Sequence, residues 1–151
     1  MEIKIVMASK LSDKAAQNMF KEYAKRLSGY VKIDFTDFKS SNFSDPAIVK
    51  REDGKRLKDA SNGFYRILLD ETGKVFDSFE FSKWLNNLLE NKKKLAFLIG
   101  GSHGHDNTLT ENCDEVISLS KLTLAHQLAL VVLTEQIYRG MTIKFGHPYH
   151  K

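Results

Sequence analysis

Two stretches hold most of the residues able to do chemistry. One is "LIGGSHGHD", Leu98–Asp106, where three glycines are interleaved with His103 and His105. The other is "GHPYHK", Gly146–Lys151, which carries two histidines and a tyrosine to the last residues of the chain. Termini usually fray and drift toward small polar residues, so such a tail asks for a role. In the first stretch Gly100, Gly101 and Gly104 permit positive φ and close backbone approach, and their N–H groups can face a ligand; a plain tight turn would need the same glycines. No Gly-Lys-Ser/Thr closes the stretch and the G-x-G-x-x-G spacing is absent, so neither a Walker loop nor a dinucleotide fingerprint is present. His103, His105, His147 and His150 could offer imidazoles to a metal, but no zinc-type spacing accompanies them and no metal site is expected. The G-x-S-x-G elbow of a serine hydrolase is missing. His126 reads as a hydrogen-bonded structural residue. Cys113, in "TENCDEV", lies between acids that would raise its thiol pKa, and reads as an inert structural thiol.

The elements that must position these residues alternate in kind. "EIKIVMAS" places Ile3, Ile5 and Met7 at strand spacing. A helix capped by Ser12 follows, with Ala15, Ala16, Met19, Phe20, Tyr23, Ala24 and Leu27 at helical spacing and Gly29 at its end. "VKIDFTDF" alternates again. Asp45-Pro46 opens a second helix, as a cap followed by proline at the first helical position. That helix is weakly apolar; its Lys50, Arg51, Lys55, Arg56 and Lys58 are expected to face Glu52, Asp53 and Asp59 on a solvated, mobile surface or to touch RNA. "FYRILL", Phe64–Leu69, is apolar enough for a central strand, and "DETGK" reads as a turn. Asp77 and Glu80 form a capping pair for a helix that turns Trp84, Leu85, Leu88 and Leu89 inward. "KLAFLIGG" is a buried strand running into glycines, "TLTENCDEV" a short helix and "VISLS" a short strand. The last helix, "AHQLALVVLTEQIYRG", is apolar around most of its circumference, so it is expected to be deeply buried or to lie in a subunit interface.

This alternation predicts an α/β fold with a mainly parallel sheet covered by helices on both faces. Ligands of such sheets bind beyond the carboxyl ends of the strands, which singles out "LLDETG", "LIGGSHGHD" and "SLSKLTL". The 151 residues suit one domain, 1–151. The single cysteine rules out an internal disulfide framework and fits a cytoplasmic protein. No signal peptide and no membrane span is expected. Net charge is +4, and between Lys121 and Lys151 four basic residues and three histidines stand against one acid, Glu135. That part of the chain would attract an anion such as RNA.

"LIGGSHG", then "SLSKLTLAHQLALVVLTEQIYRG", then "HPYHK" resemble the RlmH-type methyltransferases of the SPOUT superfamily, and the likeness includes "LLDETGK" and runs the length of the chain. The resemblance implies a C-terminal trefoil (α/β) knot, a homodimer, and S-adenosylmethionine as cofactor. It implies methylation of N3 of a pseudouridine in the helix 69 loop of 23S rRNA, on the assembled ribosome. Carried onto this sequence, the cofactor positions are Leu69, Gly100, Gly101, Leu119, Ser120, Lys121, Leu122, Thr123 and Leu124. The tail is implied to lie by the cofactor pocket, with Tyr149 stacking on the base or donating to it, His150 or His147 accepting the N3 proton, and Arg139 or Lys151 balancing charge. Val131, Val132 and Ile137 are the expected dimer contacts. The chain departs from many relatives at Ala125, where they have proline, and at Leu130, where they have arginine. A ribosome- or RNA-binding module without catalysis and a metal-dependent hydrolase using the histidines are the competing function classes.

Overall fold

Every one of the strands expected from the sequence forms, and all pair in parallel. The computed structural model describes Met1–Lys151. In chain order the elements are β1 (Glu2–Met7), α1 (Lys14–Leu27), β2 (Lys32–Asp37), α2 (Pro46–Ala60), β3 (Tyr65–Val75), α3 (Ser78–Lys92), β4 (Lys94–Ile99), α4 (Asn107–Glu111), β5 (Glu115–Ser118) and α5 (His126–Lys144). The sheet order is β2-β1-β4-β3-β5. Alternation along the strands sends Ile3, Ile5, Met7, Leu95, Phe97 and Ile99 to one face, where they meet α1, α3 and α5. Val6, Ala8, Ala96 and Leu98 go to the other, against α2 and α4. Both faces of the central strands are therefore dry, as a parallel sheet requires.

The helix starts follow capping chemistry. Asp45 accepts from Ala47 N ahead of Pro46, and Asp77 and Glu80 make the reciprocal capping box of α3. At α1 the cap is Asp13, not Ser12: Asp13 Oδ1 accepts from Ala16 N at 2.8 Å. The Ser12 hydroxyl is instead held by Gln127 Nε2, and Gln127 Oε1 accepts from the backbone of both Ser12 and Asp13. This pins the start of α5 to the start of α1. Met19, expected inward, is 48% exposed.

Three further expectations change. The α2 helix is packed rather than merely solvated. Val49, Gly54 and Leu57 are buried, and Asp53, far from meeting the basic residues, is buried and accepts from Ser40 Oγ, Ser41 N and Ser41 Oγ. The α5 helix does not stop at Gly140 but runs to Lys144. Gly140 is a packing position: its carbonyl accepts from Ser82 Oγ, and a Cβ there would stand 3.4 Å from Ser82 Cα. Finally, α5 is buried within its own chain, between α1 and α3. Val131 and Ile137 lie in the core, so the apolar circumference is explained without a second subunit. Leu130 is fully buried as well.

"DETGK" is a bulge inside β3 rather than a turn ending it. Leu69 and Lys74 both pair with Ile117, so Asp70–Gly73 are thrown out of the ladder before pairing resumes. A Cβ on Gly73 would lie 2.6–2.7 Å from the Ile117 backbone. Gly73→Ala should therefore cost about 1–3 kcal/mol in urea unfolding, because backbone rather than a flexible side chain must give way. Gly29→Ala, with open space around it, should change stability by less than about 0.5 kcal/mol.

Candidate functional site

A cavity of about 590 Å³ opens beyond the carboxyl ends of β3, β4 and β5. Pockets of about 300–1,000 Å³ take small-molecule ligands and cofactors. Three segments wall it: Leu69–Thr72, the glycine stretch from Ile99 to His105, and the crossing from Ser118 to His126 that carries the chain from the edge strand to α5. Of the nine expected cofactor positions, eight line it: Leu69, Gly100, Gly101, Leu119, Ser120, Leu122, Thr123 and Leu124. Lys121 is exposed and does not. The crossing is shaped locally, with Ser118 Oγ donating to Ser120 O and Ser120 Oγ accepting from Leu122 N.

The glycine stretch is both a tight turn and a cavity wall. Gly104 N donates to Gly101 O at 2.9 Å, and Gly104 takes φ 75°. A Cβ on Gly101 would sit 2.7 Å from Ala8 O, and one on Gly100 3.4 Å from the Gly104 carbonyl. Gly101 is thus required by the fold, whereas Gly100 leaves room beside the cavity.

The bulge staples the three walls together, which the sequence did not disclose. Asp70 Oδ2 lies 2.8 Å from His105 Nε2, and Glu71 Oε2 accepts from Thr123 Oγ1 at 2.7 Å. Burial pushes the Asp70 carboxyl up, but hydrogen bonds from Thr72 Oγ1 and Thr72 N, with the His105 charge, outweigh it and hold its pKa below the usual value. Ser9 Oγ and His126 Nε2 are 2.8 Å apart at the far wall. His126 is hydrogen-bonded, as expected, but it also lines the cavity. Burial pushes the Cys113 thiol up to about 11, against the lowering effect of Arg66 and with Asp114 adding to it, the direction expected from its acidic neighbours.

The terminal motif is a helix stop that turns the chain back on itself. His147 N donates to Thr142 O and Gly146 N to Ile143 O, with Gly146 at φ 67°. This is a Schellman arrangement, followed by proline where the helix cannot continue. The returning tail docks Tyr149 OH on Glu135 Oε1 at 2.9 Å and on Tyr23 OH at 3.2 Å. Arg139 lies 4.8 Å from the Tyr149 ring centroid, pairs with Glu135, and is 3.0 Å from His150 Nδ1. Burial first, then hydrogen bonds to Tyr23 and Glu135, raise the Tyr149 pKa. Of the four expected catalytic residues, Arg139, Tyr149 and His150 converge, while His147 is exposed, its Nδ1 accepting from Tyr149 N. Glu135 and Tyr23 complete the cluster; only Glu135's solitary charge hinted at it.

The cavity lies at the start of α5, where His126 and Ala129 wall it, and the cluster sits further along the helix, from Glu135 to Arg139. At 1.5 Å per residue Glu135 and Arg139 stand about 9 Å and about 15 Å beyond Ala129, and no tail residue lines the cavity. The histidines do not converge either: no group of three or more His, Cys, Asp or Glu is placed to hold a metal ion.

A five-stranded parallel sheet with a ligand-sized cavity at its carboxyl strand ends, bridged by the chain on its way to the last helix, defines an α/β protein built to hold a small molecule at that edge. The chain belongs to the SPOUT methyltransferase family: the family described as "Predicted SPOUT methyltransferase" matches residues 1–150. It is 37% identical over 151 residues to a Gloeobacter violaceus protein named "Ribosomal RNA large subunit methyltransferase H", covering 99% of each. It is 38% identical over 159 residues to a Clostridium kluyveri protein of the same name, covering 100% of each. A Methanococcus vannielii protein named "Putative ribosomal RNA large subunit methyltransferase H" matches at 38% with the same coverage.

The Asp70–His105 staple makes a testable claim on stability. Asp70→Asn should cost about 1 kcal/mol at neutral pH. Because the folded pKa of Asp70 lies below its reference value of 3.8, the ionised carboxylate stabilises the fold above 3.8 and loses that contribution as pH falls through the lower folded value. Wild type and variant should therefore converge in thermal melts taken at increasingly acid pH.

Proposed function

We propose that the chain is an S-adenosylmethionine-dependent methyltransferase of 23S rRNA, acting in the cytoplasm on N3 of a pseudouridine in the helix 69 loop of the assembled ribosome. The observation that carries this is the cavity, because the residues walling it suit that cofactor. Leu69, Leu119, Leu122 and Leu124 offer an apolar slot for adenine, and the irregular backbone from Leu119 to Leu124 offers groups to read its edge. Gly100, without a side chain, lets the backbone approach the ribose and methionine portion. Asp70 and Glu71 are carboxylates on the wall of a site for a cation. The bound cofactor would supply an electrophilic methyl group on sulfonium. The crossing from Ser118 to His126 is the passage that a trefoil knot would thread.

The protein's own residues must select the base, take its N3 proton and steady the anion that forms on the ring oxygens. Arg139 can only donate hydrogen bonds, so in its pair with His150 the Nδ1 accepts and the proton sits on Nε2. His150 then offers an N–H to the developing oxyanion. His147, exposed and with its Nδ1 accepting from Tyr149 N, is the other imidazole, and it would take the N3 proton on Nδ1 by releasing that contact. Tyr149, with its hydroxyl on Glu135 and Tyr23 and its ring against Arg139 and Tyr138, anchors the tail more than it offers a face for stacking. Since no tail residue lines its own chain's cavity, and the Glu135–Arg139 cluster that holds the tail stands about 9–15 Å beyond Ala129 along α5, the proposed catalytic unit is a homodimer in which each cavity receives the partner's tail.

Purified protein should bind S-adenosylmethionine with micromolar-order affinity, about −8 kcal/mol, and Gly100→Val should abolish binding in calorimetry. Deletion of Tyr149–Lys151 should spare cofactor binding but collapse methyl transfer from labelled cofactor to ribosomes of a deletion strain. Mixed and re-annealed at equal amounts, these two inactive variants should recover roughly a quarter of wild-type activity, since half the dimers then hold one intact composite site. No recovery, with mixed dimers demonstrated, would mean that cavity and tail work in one chain. Full activity in the truncated enzyme would make the tail a docked chain end only.

A further inference from the structure

The α2 helix carries a stripe of positive charge that the fold does not use. Arg51, Lys55 and Lys58 stand one turn apart on the same side, and with Gly54 as floor they line one wall of a groove of about 200 Å³. None of the three forms an ion pair, unlike Lys4, Lys10, Arg26, Lys32 and Lys144, and what sets them apart from other unpaired lysines is that they line one groove together. Like charges at this spacing cost a helix about 0.2–0.5 kcal/mol per pair, so the stripe is a small net burden on stability. Glu52 and Asp59, three and four residues from Lys55, form no ion pair with it, and Asp53 is buried on the other side and held by Ser40 and Ser41. Arg56, by contrast, is occupied at home, 4.0 Å from the Phe38 ring centroid and donating to Lys39 O.

The opposite wall is α4, with Asp106, Thr108 and Asn112. Asp106 is the one carboxylate there, and its Oδ1 is turned to cap the helix, accepting from Leu109 N at 3.1 Å. Thr108 and Asn112 bring further hydrogen-bonding side chains. The groove is too small for a cofactor, against the ~300 Å³ lower bound of such pockets; its lining is apolar, and Arg51, Lys55 and Lys58 are exposed along its rim, where their charged ends can meet phosphate groups. Its position matters as much as its charge. The loop from Gly100 to His105 walls the cofactor cavity, and the next residue, Asp106, walls the groove. One short loop separates the two.

We infer that the α2–α4 groove seats the phosphodiester backbone of the RNA substrate, with Arg51, Lys55 and Lys58 each taking phosphate charge; this rests on the methyltransferase function proposed above. The cations lie about 5–6 Å apart at their Cβ atoms, far enough for each to meet a separate phosphate of one strand. A strand lying there passes the mouth of the cavity, and contacts of this kind set register without reading sequence. The fold gives the base a place to react, and the groove gives the strand a rail beside it.

The test compares wild type with Arg51→Ala/Lys55→Ala/Lys58→Ala. A control, Lys21→Ala/Lys83→Ala/Lys92→Ala, makes the same charge change on α1 and α3, across the sheet. Binding to a fluorescein-labelled hairpin RNA is followed against salt, and methyl transfer to ribosomes of a deletion strain is followed at varied ribosome concentration. The groove variant should lose about tenfold or more in RNA affinity and flatten the salt slope by about 2–3. It should raise KM for ribosomes while leaving kcat and cofactor affinity in calorimetry as in wild type. Arg51→Lys/Lys55→Arg/Lys58→Arg should restore binding, which a folding defect would not allow. An unchanged salt slope and KM in the groove variant, an equal loss in the control, or a change of oligomeric state in place of RNA affinity would overturn the inference. If wild type bound RNA through the groove yet methylated no ribosome, the function proposed above would fail and the groove would stand.

Discussion

The contact on which the ligand cavity depends is one of backbone against backbone. At Gly73 the returning β3 chain comes so close to Ile117 that no side chain fits between them. A four-residue bulge can leave a parallel ladder and rejoin it only if the rejoining residue tolerates such an approach. Because it does, Asp70 and Glu71 project over the strand ends instead of lying in the sheet, and Lys74–Val75 pair with Ile117–Ser118. That second pairing fixes where β5 ends and where Leu119 begins its crossing. The same bulge then fastens both neighbouring walls, Asp70 to His105 and Glu71 to Thr123. The cavity is held open by its own staples, and a ligand entering it meets walls already ordered.

Local chemistry was legible in the sequence; pairings over distance were not. Asp45-Pro46 and the Asp77/Glu80 box announced α2 and α3 because a cap acts within one turn. Ser12 and Asp13 are adjacent and both good caps, and what decides between them is Gln127, over a hundred residues away. The strand-end segments were recognised, but not that one bulge would tie them together. "DETGK" has turn composition, and composition does not say whether the chain resumes its strand afterwards. The last helix shows the same limit more sharply: apolar character on every side demands burial, yet does not say whether α1 and α3 or another subunit supplies the cover. The proposed cofactor positions rest on resemblance, and no spacing rule would have found them.

The tail shows how one residue type can serve two ends. Gly146 and Pro148 stop α5 and reverse the chain, and the reversal drops Tyr149 onto Glu135, the one acid of the C-terminal fifth. Glu135 also holds Arg139, which in turn meets His150. The Tyr149 hydroxyl, its pKa raised first by burial and then by its partners, stays protonated as a donor. The positive charge read from the sequence is therefore not spread over this part of the chain. Arg139 is compensated by Glu135 and Lys144 by Glu90, while Arg51, Lys55 and Lys58 on α2 form no ion pair.

The helix that separates cavity from tail also suggests how two copies would join them. Leu122 and Leu128, beside the cavity, are 76% and 51% exposed, and Phe79, packed edge-on against His150, is 63% exposed. Leu122 and Leu128 flank the start of α5, and Phe79 lies at the start of α3 beside the tail. A two-fold pairing is self-complementary: whatever patch of one copy meets a second patch, the reciprocal contact forms as well. Placing the Leu122–Leu128 end of one proposed subunit against the Phe79–His150 end of the other would cover both sets of exposed side chains at once. It would also bring each tail to the other's cavity, across the about 9–15 Å of α5 that separate Ala129 from Glu135 and Arg139 within one chain. The rigid helix would then act as a spacer. It would keep the two proposed halves of the site apart in the single chain, so that only dimerisation would bring them together.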